Sequence, residues 1–237
     1  MSIIIKWFPN SWFQIKTQSQ MLYIDPAYLS TYFAKYPKRI EFSRWPDPIN
    51  GLPEELEKAD IILITHDHKD HCKRVTVNRL KRADTLMIAP KRCVKELGRD
   101  IDIIGPGDER ACGGIKVQAV CAYNTEKGSS TRKVHRKGHG VGYVLTIDSR
   151  RIYHSGDTDF IEEMREIGRI DVALLPIGGK FTMDASEALE TTLALKPEVV
   201  IPMHRLKADP QAFKRKVEAK SNIKVVPLDI GETFTLR

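Results

Sequence analysis

The feature that most limits what this chain can fold into is a junction at Ile64, where the apolar run Ile61-Ile62-Leu63-Ile64 passes directly into Thr65-His66-Asp67-His68-Lys69-Asp70-His71. A short apolar run bounded by polar turn residues reads as a buried strand. Three of the seven histidines then fall within six residues. Imidazole and carboxylate groups are the donors that borderline ions such as Zn²⁺ prefer, and a strand exit projects side chains two apart toward one side. His66 and His68 can therefore grip one ion, while Asp70 and His71, on the first turn of a following helix, turn toward a second. The competing reading is a solvated turn that happens to be rich in histidine, and the strand-turn-helix setting disfavours it.

The rest of the chain supplies strands whose ends could meet that junction. Strands are predicted at 3–8, 12–16 and 21–24, followed by a proline-rich irregular connection over 26–52. Helix and strand then alternate: helix 53–59, strand 60–64, helix 70–82, strand 85–89, helix 91–98. Strands at 115–123, 141–147 and 151–154 form a second β-rich block. A second alternation follows, with helices 160–167, 184–195 and 210–221 and strands 171–175, 198–203 and 223–226. Two β-then-α halves imply an α/β (α+β) fold with two sheets face to face and helices outside. At 237 residues the chain is expected to form a single domain, 1–237.

Composition excludes several classes. With 41% hydrophobic and 29% charged residues, 15 Gly and 13 Pro, disorder, collagen and a simple coiled coil do not fit. No apolar run approaches the roughly 20 residues of a membrane span, and no basic leader precedes the first strand, so a cytoplasmic location is expected. Cys72, Cys93, Cys112 and Cys121 form no C-x-x-C, which suggests reduced thiols rather than a disulfide framework or thiolate zinc site.

A two-ion site needs further ligands from other strand ends. His204 closes the strand ending Ile201-Pro202-Met203, and Asp157 follows Ser155-Gly156 on a turn where a carboxylate could bridge two cations. Alone, Asp157 would read as a turn or cap residue. His154 lies inside a predicted strand, where a packed histidine is the better reading.

In this order the motifs resemble the metallo-β-lactamase superfamily. The similarity spans Ile3 to about Arg205 and includes His66-Asp67-His68-Lys69-Asp70-His71, Ile24-Asp25-Pro26, Ser155-Gly156-Asp157-Thr158, Leu175-Pro176-Ile177-Gly178-Gly179, Phe181-Thr182-Met183 and Ile201-Pro202-Met203-His204. It is similar in particular to metal-dependent hydrolases that include L-ascorbate 6-phosphate lactonase-like proteins. The resemblance implies a four-layer αββα sandwich with metals at one sheet edge. It places His66, His68 and a third histidine on site one, Asp70, His71 and His204 on site two, and Asp157 between them. Many relatives carry the third histidine just after the strand that here ends Ala122-Tyr123-Asn124, and none stands there. His135 is the first choice and His139 the alternative.

The resemblance further implies hydrolysis by a hydroxide that two divalent ions activate, Zn²⁺ first, with Mn²⁺, Ni²⁺ or Fe as alternatives. Asp70 would orient the hydroxide and Asp157 set the metal spacing, with Thr65 and Asp67 supporting the ligand rings. Lys127, Arg132, Lys133, Arg136 and Lys137 against Glu126 make the loop before Gly140 cationic, in a chain of net charge +7. With Lys180 and Arg205 as expected anion contacts, a small anionic ester, lactone or phosphodiester is the expected substrate. Relatives often carry Tyr where Arg205 stands. A nuclease acting on RNA or DNA is a second reading, disfavoured because no aromatic platform interleaves with the basic loop. A non-catalytic metal-binding protein is a third. Assembly into a homo-oligomer is compatible with the sequence.

Overall fold

Side-chain alternation decides the first sheet. In β1 (Ile3–Trp7) the side chains of Ile3, Ile5 and Trp7 are buried while Ile4 is 36% exposed, the period-two pattern of a strand with one covered face. The computed structural model describes residues 2–27 and 56–237. In it β1 is followed by β2 (Phe13–Lys16), β3 (Met21–Ile24), β4 (Ala59–Leu63), β5 (Lys81–Ala89) and β6 (Asp102–Ile103). The first three pair antiparallel, and β3 through β6 pair parallel. The second sheet holds β7 (Glu109–Cys112), β8 (Ile115–Ala122), β9 (Gly140–Ile147), β10 (Arg150–His154), β11 (Val172–Pro176), β12 (Val199–Met203) and β13 (Lys224–Val225). It too runs antiparallel as far as β10 and parallel from there. Strand β14 (Thr233–Leu236) returns to the first sheet beside β1.

The inner faces of both sheets share one apolar core, in which Ile5, Phe13, Ile15 and Leu63 meet Val117, Leu145, Leu174 and Ile201. Helix α1 (Arg74–Leu80) buries Val77 and Leu80 on the outside of the first sheet, next to the short α2 (Val94–Leu97). On the outside of the second lie α3 (Ala185–Leu195) and α4 (Pro210–Glu218), which bury Ala188, Leu189, Phe213 and Val217. Each large apolar side chain so covered contributes roughly 1.5–3 kcal/mol relative to exposure. Asp184 caps α3 by accepting from the backbone N–H groups of Ser186 and Glu187, and Asp209 caps α4 at Gln211 with Pro210 in the first turn. The result is the αββα sandwich.

Several elements differ from the sequence expectation. The helix expected over 70–82 is α1 alone, because Lys81 onward pairs with β4 and Thr85 donates its hydroxyl to the Ala59 carbonyl. The helix expected over 91–98 is a 3-10 turn, Lys91–Cys93, running into α2, and that over 160–167 is a 3-10 turn, Glu162–Glu166. Of the helix expected over 53–59, residues 53–55 lie outside the described residues, 56–58 are irregular and Ala59 opens β4. Most of the 26–52 connection also lies outside them. Strands β6 and β7 carry too few apolar residues to stand out in sequence; with β14, whose Thr233-Phe234-Thr235-Leu236 alternation is very short, they pair at sheet edges.

Candidate metal centre

Parallel strands share a direction, so the carboxyl ends of β3 and β4 in one sheet and of β10, β11 and β12 in the other each form a row from which loops emerge. After β4 the chain turns sharply, the backbone N–H groups of His71 and Cys72 both donating to the His68 carbonyl at 3.0 and 2.8 Å. Asp70 and His71 therefore sit on a turn, not in the first turn of a helix. The loop is held from the opposite sheet: Tyr143 donates its hydroxyl to the Ile64 carbonyl at 2.8 Å and the Val141 N–H donates to the Thr65 carbonyl at 2.9 Å.

Asp25, just past β3, is buried and adopts a left-handed backbone conformation with φ 50°. One of its oxygens accepts from the Thr65 N–H at 2.7 Å; the other accepts from the Thr65 hydroxyl at 2.7 Å and lies 2.7 Å from His71 Nδ1. That contact turns the His71 ring so that Nε2 faces inward. His66 Nδ1 lies 3.0 Å from the Thr65 hydroxyl, which leaves its Nε2 facing inward as well. Asn10, in the β1–β2 turn, does comparable work elsewhere. Its amide donates to Asp70 Oδ2 at 2.8 Å and its carbonyl accepts from the His204 N–H at 3.0 Å. Asn10 and His204 also have positive φ, 61° and 42°. Three buried non-glycine residues in this sparsely populated region, all around one cluster, are strain of the kind that gathers at functional sites.

Asp157 reaches the cluster through Gly156, whose φ is 65° and where a Cβ would stand 2.6 Å from the Val141 carbonyl oxygen. Only glycine lets that turn lie against β9. His135 comes from the long loop after β8. Its N–H donates to Asn124 Oδ1 at 2.9 Å, and its Nδ1 lies 3.0 Å from the Phe181 carbonyl, which it can serve as donor. Its Nε2 stands 3.0 Å from His68 Nδ1 and 3.4 Å from Asp157 Oδ2.

The structure brings seven of the predicted residues together: His66, His68, Asp70, His71, His135, Asp157 and His204. Three triads, His66/His68/His135, His66/His71/Asp157 and Asp70/His71/His204, each have ligand atoms within 4.8 Å of one another. His71 Nε2 is 3.3 Å from Asp157 Oδ1, and His204 Nε2 is 3.3 Å from Asp157 Oδ2. The inward atoms His66 Nε2, His71 Nε2, His204 Nε2 and Asp157 Oδ1 are buried without a hydrogen-bond partner. Such atoms cost free energy unless something completes them, and convergent imidazole nitrogens and carboxylates fit a divalent cation.

The protonation tendencies agree. Burial, reinforced by neighbouring histidines, pushes His66 well below the ordinary imidazole value and His135 down to about 4, Asp157 partly offsetting both. For Asp70 and Asp157 burial works against the charge, but His71 and His204 outweigh it and hold both well below the ordinary carboxylate value. Burial likewise opposes the charged forms of His71 and His204, and the surrounding carboxylates, Asp157 foremost, overcome it and raise both. A cation bound there would have to compete with protons on those two rings.

Other expected residues lie elsewhere. His139 is part-exposed and in none of the triads. His154 is packed, bonded to the Ser11 carbonyl at 2.9 Å and to the Gly156 N–H at 3.1 Å. Arg205, the other expected anion contact, is engaged by the protein: its guanidinium stacks 4.1 Å over the Trp7 ring and donates to the carbonyls of Pro202 and Leu228 at 3.1 and 2.6 Å. Lys180 is exposed with its ammonium 5.1 Å from the Phe181 ring centre, beside the cluster rather than in it. Asp67 pairs with Arg92 at 3.3 Å instead of bracing a ligand ring. Of the loop cations, Lys133 reaches the buried Asp159 at 3.2 Å and Lys137 reaches Glu163 at 2.7 Å, so the loop is less free to gather anions than its composition suggests. Asn10 and Asn124 carry no sequence signal beyond turn residues, whereas Asp25 could have been singled out as a carboxylate directly after an apolar strand.

Comparison with known proteins agrees with this architecture. The beta-lactamase superfamily domain family matches residues 4–204. The chain is 37% identical over 185 residues to a UPF0173 metal-dependent hydrolase of Thermoplasma acidophilum, covering 74% of this chain and 80% of that one. It is 31% identical over 246 residues to one from Methanosarcina barkeri, covering the whole of both. Among solved structures, Igni18, described as a metallo hydrolase from Ignicoccus hospitalis, superposes with a TM-score of 0.74 at 28% identity over 100% of this chain and 99% of its own.

Proposed function

Because this chain belongs to the UPF0173 metal-dependent hydrolases of the metallo-β-lactamase superfamily, we propose that it hydrolyses a small anionic ester, lactone or phosphodiester with two divalent cations. His66, His68 and His135 would hold one ion and Asp70, His71 and His204 the other, with Asp157 between them. The observation that carries this reading is the convergence of buried ring nitrogens and a carboxylate oxygen that no protein group completes. Lactones are included because the motif order of the sequence resembles that of L-ascorbate 6-phosphate lactonase-like proteins. When bound, such cations lower the pKa of water from 15.7 toward about 7 and stabilise charge developing on a substrate oxygen.

The protein's own groups do the rest. Asp25 and Thr65 fix the rings of His71 and His66, and the Phe181 carbonyl and Asn124 fix His135. Outer partners of this kind set ring orientation and raise donor basicity. Asp70 also lines the open cleft, and in this reading its carboxylate would accept a hydrogen bond from the attacking water and orient it. Zn²⁺ is the first candidate, with Mn²⁺, Ni²⁺ and Fe accepting the same mixed donors.

The test is a panel of esters, lactones and phosphodiesters assayed with the full chain loaded with Zn²⁺ or Mn²⁺. Turnover that disappears on chelation and returns with metal is the expected result. A fully loaded protein inert toward the whole panel would make it a metal-binding protein without turnover.

A further inference from the structure

Two cavities open onto the ligand cluster. They share a partition formed by Asp67, His68, Val134, His135 and Asp157. One has a volume of about 50 Å³ and adds His66, Arg92 and His139 to that wall. That is room for a few water-sized groups beside the ligand rings, since a water needs roughly 10–15 Å³ of such space. The other measures about 430 Å³ and adds Lys69, Asp70 and Phe181. That lies within the roughly 300–1,000 Å³ of small-molecule sites.

Among the described residues, Val134 and Phe181 are the apolar ones that line the larger cavity, and both are tied to His135. Val134 precedes it and is 44% exposed. It cannot turn inward without uprooting its neighbours, since Lys133 is bonded to Ser130 Oγ at 3.0 Å and to Asp159, while His135 is bonded to Asn124 and Phe181. Phe181 uses its carbonyl to receive the His135 ring and the Asn124 amide, the latter at 2.9 Å. Its backbone therefore serves the ligand cluster, and the residue lines the larger cavity. Two separate loops, one after β8 and one after β11, thus bring Val134 and Phe181 to the rim of this cavity, with the Lys180 ammonium 5.1 Å from the Phe181 ring centre.

We propose that the larger cavity is a subsite for an apolar acyl or aryl group of the substrate, seated between Val134 and Phe181 with the scissile group at the ligand cluster. The proposal rests on the hydrolase reading, and it narrows the substrate from any small anion to one that carries a hydrophobic arm. Each methylene buried there strengthens binding about fourfold, the equivalent of ~0.8 kcal/mol.

A binding experiment separates this proposal from turnover. Acetate, butyrate and hexanoate are titrated into the Zn²⁺-loaded full chain by calorimetry, alongside hydrolysis of the matching p-nitrophenyl esters. In the wild type, Kd is expected to fall about fourfold per added methylene. Phe181→Ala should flatten the series at unchanged metal content per chain, and Phe181→Leu should restore it. A series already flat in the wild type, with hexanoate binding no tighter than acetate, overturns the subsite even if the esters turn over. A series that stays steep in Phe181→Ala and in Val134→Ser overturns it too. A steep wild-type carboxylate series that Phe181→Ala flattens, without any ester turnover, upholds the subsite and counts against the hydrolase reading.

Discussion

The two sheets run alike and end differently. In each, antiparallel strands give way to parallel ones at β3 in the first sheet and β10 in the second. In each, an aspartate follows the strand at that switch: Asp25 after β3, Asp157 after β10. Both are buried. Asp25 is saturated, with Thr65 donating to both its oxygens and His71 Nδ1 at 2.7 Å. Asp157 has an oxygen without any hydrogen-bond partner and three histidine rings 3.3 to 3.4 Å away. The same residue type at corresponding strand ends thus serves two purposes. A carboxylate whose lone pairs are filled by the protein positions a ligand, and one left unfilled is available to be one.

The sharpest way to break that distinction is Asp157→Ala. It is expected to lower kcat/KM on the order of 10³-fold and to leave the dialysed protein with less metal, a larger loss than the roughly 10- to 100-fold that an outer partner costs. Metal analysis beside steady-state assays reads both. If Asp157→Ala keeps full metal and turnover, the contrast with Asp25 is void.

Asp25→Asn should cost less, roughly 10- to 100-fold in metal affinity, and leave turnover recoverable at high metal concentration. It should also change the pH dependence. Asp25 is among the carboxylates that raise His71 above its ordinary value. A metal must displace that proton, so wild-type affinity keeps climbing with pH beyond about 6.5 before it levels off. With the charge of Asp25 removed the His71 proton is held less tightly, and the plateau should begin at a lower pH. Chelator competition between about pH 6 and 8 checks the sign, and a plateau that moves upward would contradict it.

The smallest effect on activity is expected at Arg205. Its guanidinium is occupied by Trp7 and two carbonyls, and burial pushes its pKa down to about 10. Arg205→Ala should lower unfolding stability by about 1–3 kcal/mol through the lost stacking and hydrogen bonds, with KM little changed. A large rise in KM at unchanged stability would return Arg205 to the substrate.

Much of the architecture is legible in the residues themselves, because strand formation answers to local alternation and apolar runs. β5 starts four residues before its pattern places it, but β8, β9 and β12 fall where theirs place them. The edge strands β6, β7 and β14 do not, since their reason to exist is a partner far away in the chain. Helix ends show the same dependence: α1 begins after His71, because pairing and turn bonds override local propensity.

For the site, residue chemistry nominated His66, His68, Asp70, His71, Asp157 and His204 as candidates, and the resemblance to the metallo-β-lactamase superfamily joined them into one ligand set with His135 or His139 as the third histidine. Tertiary structure decided that His135 and not His139 stands beside His68, that Asp25 holds His71, that Asn10 holds Asp70, and that Arg205 turns toward Trp7 and Leu228. The reason is physical: which atoms can act as donors is a property of each side chain, but which of them remain unsatisfied depends on neighbours delivered by strand ends tens of residues apart.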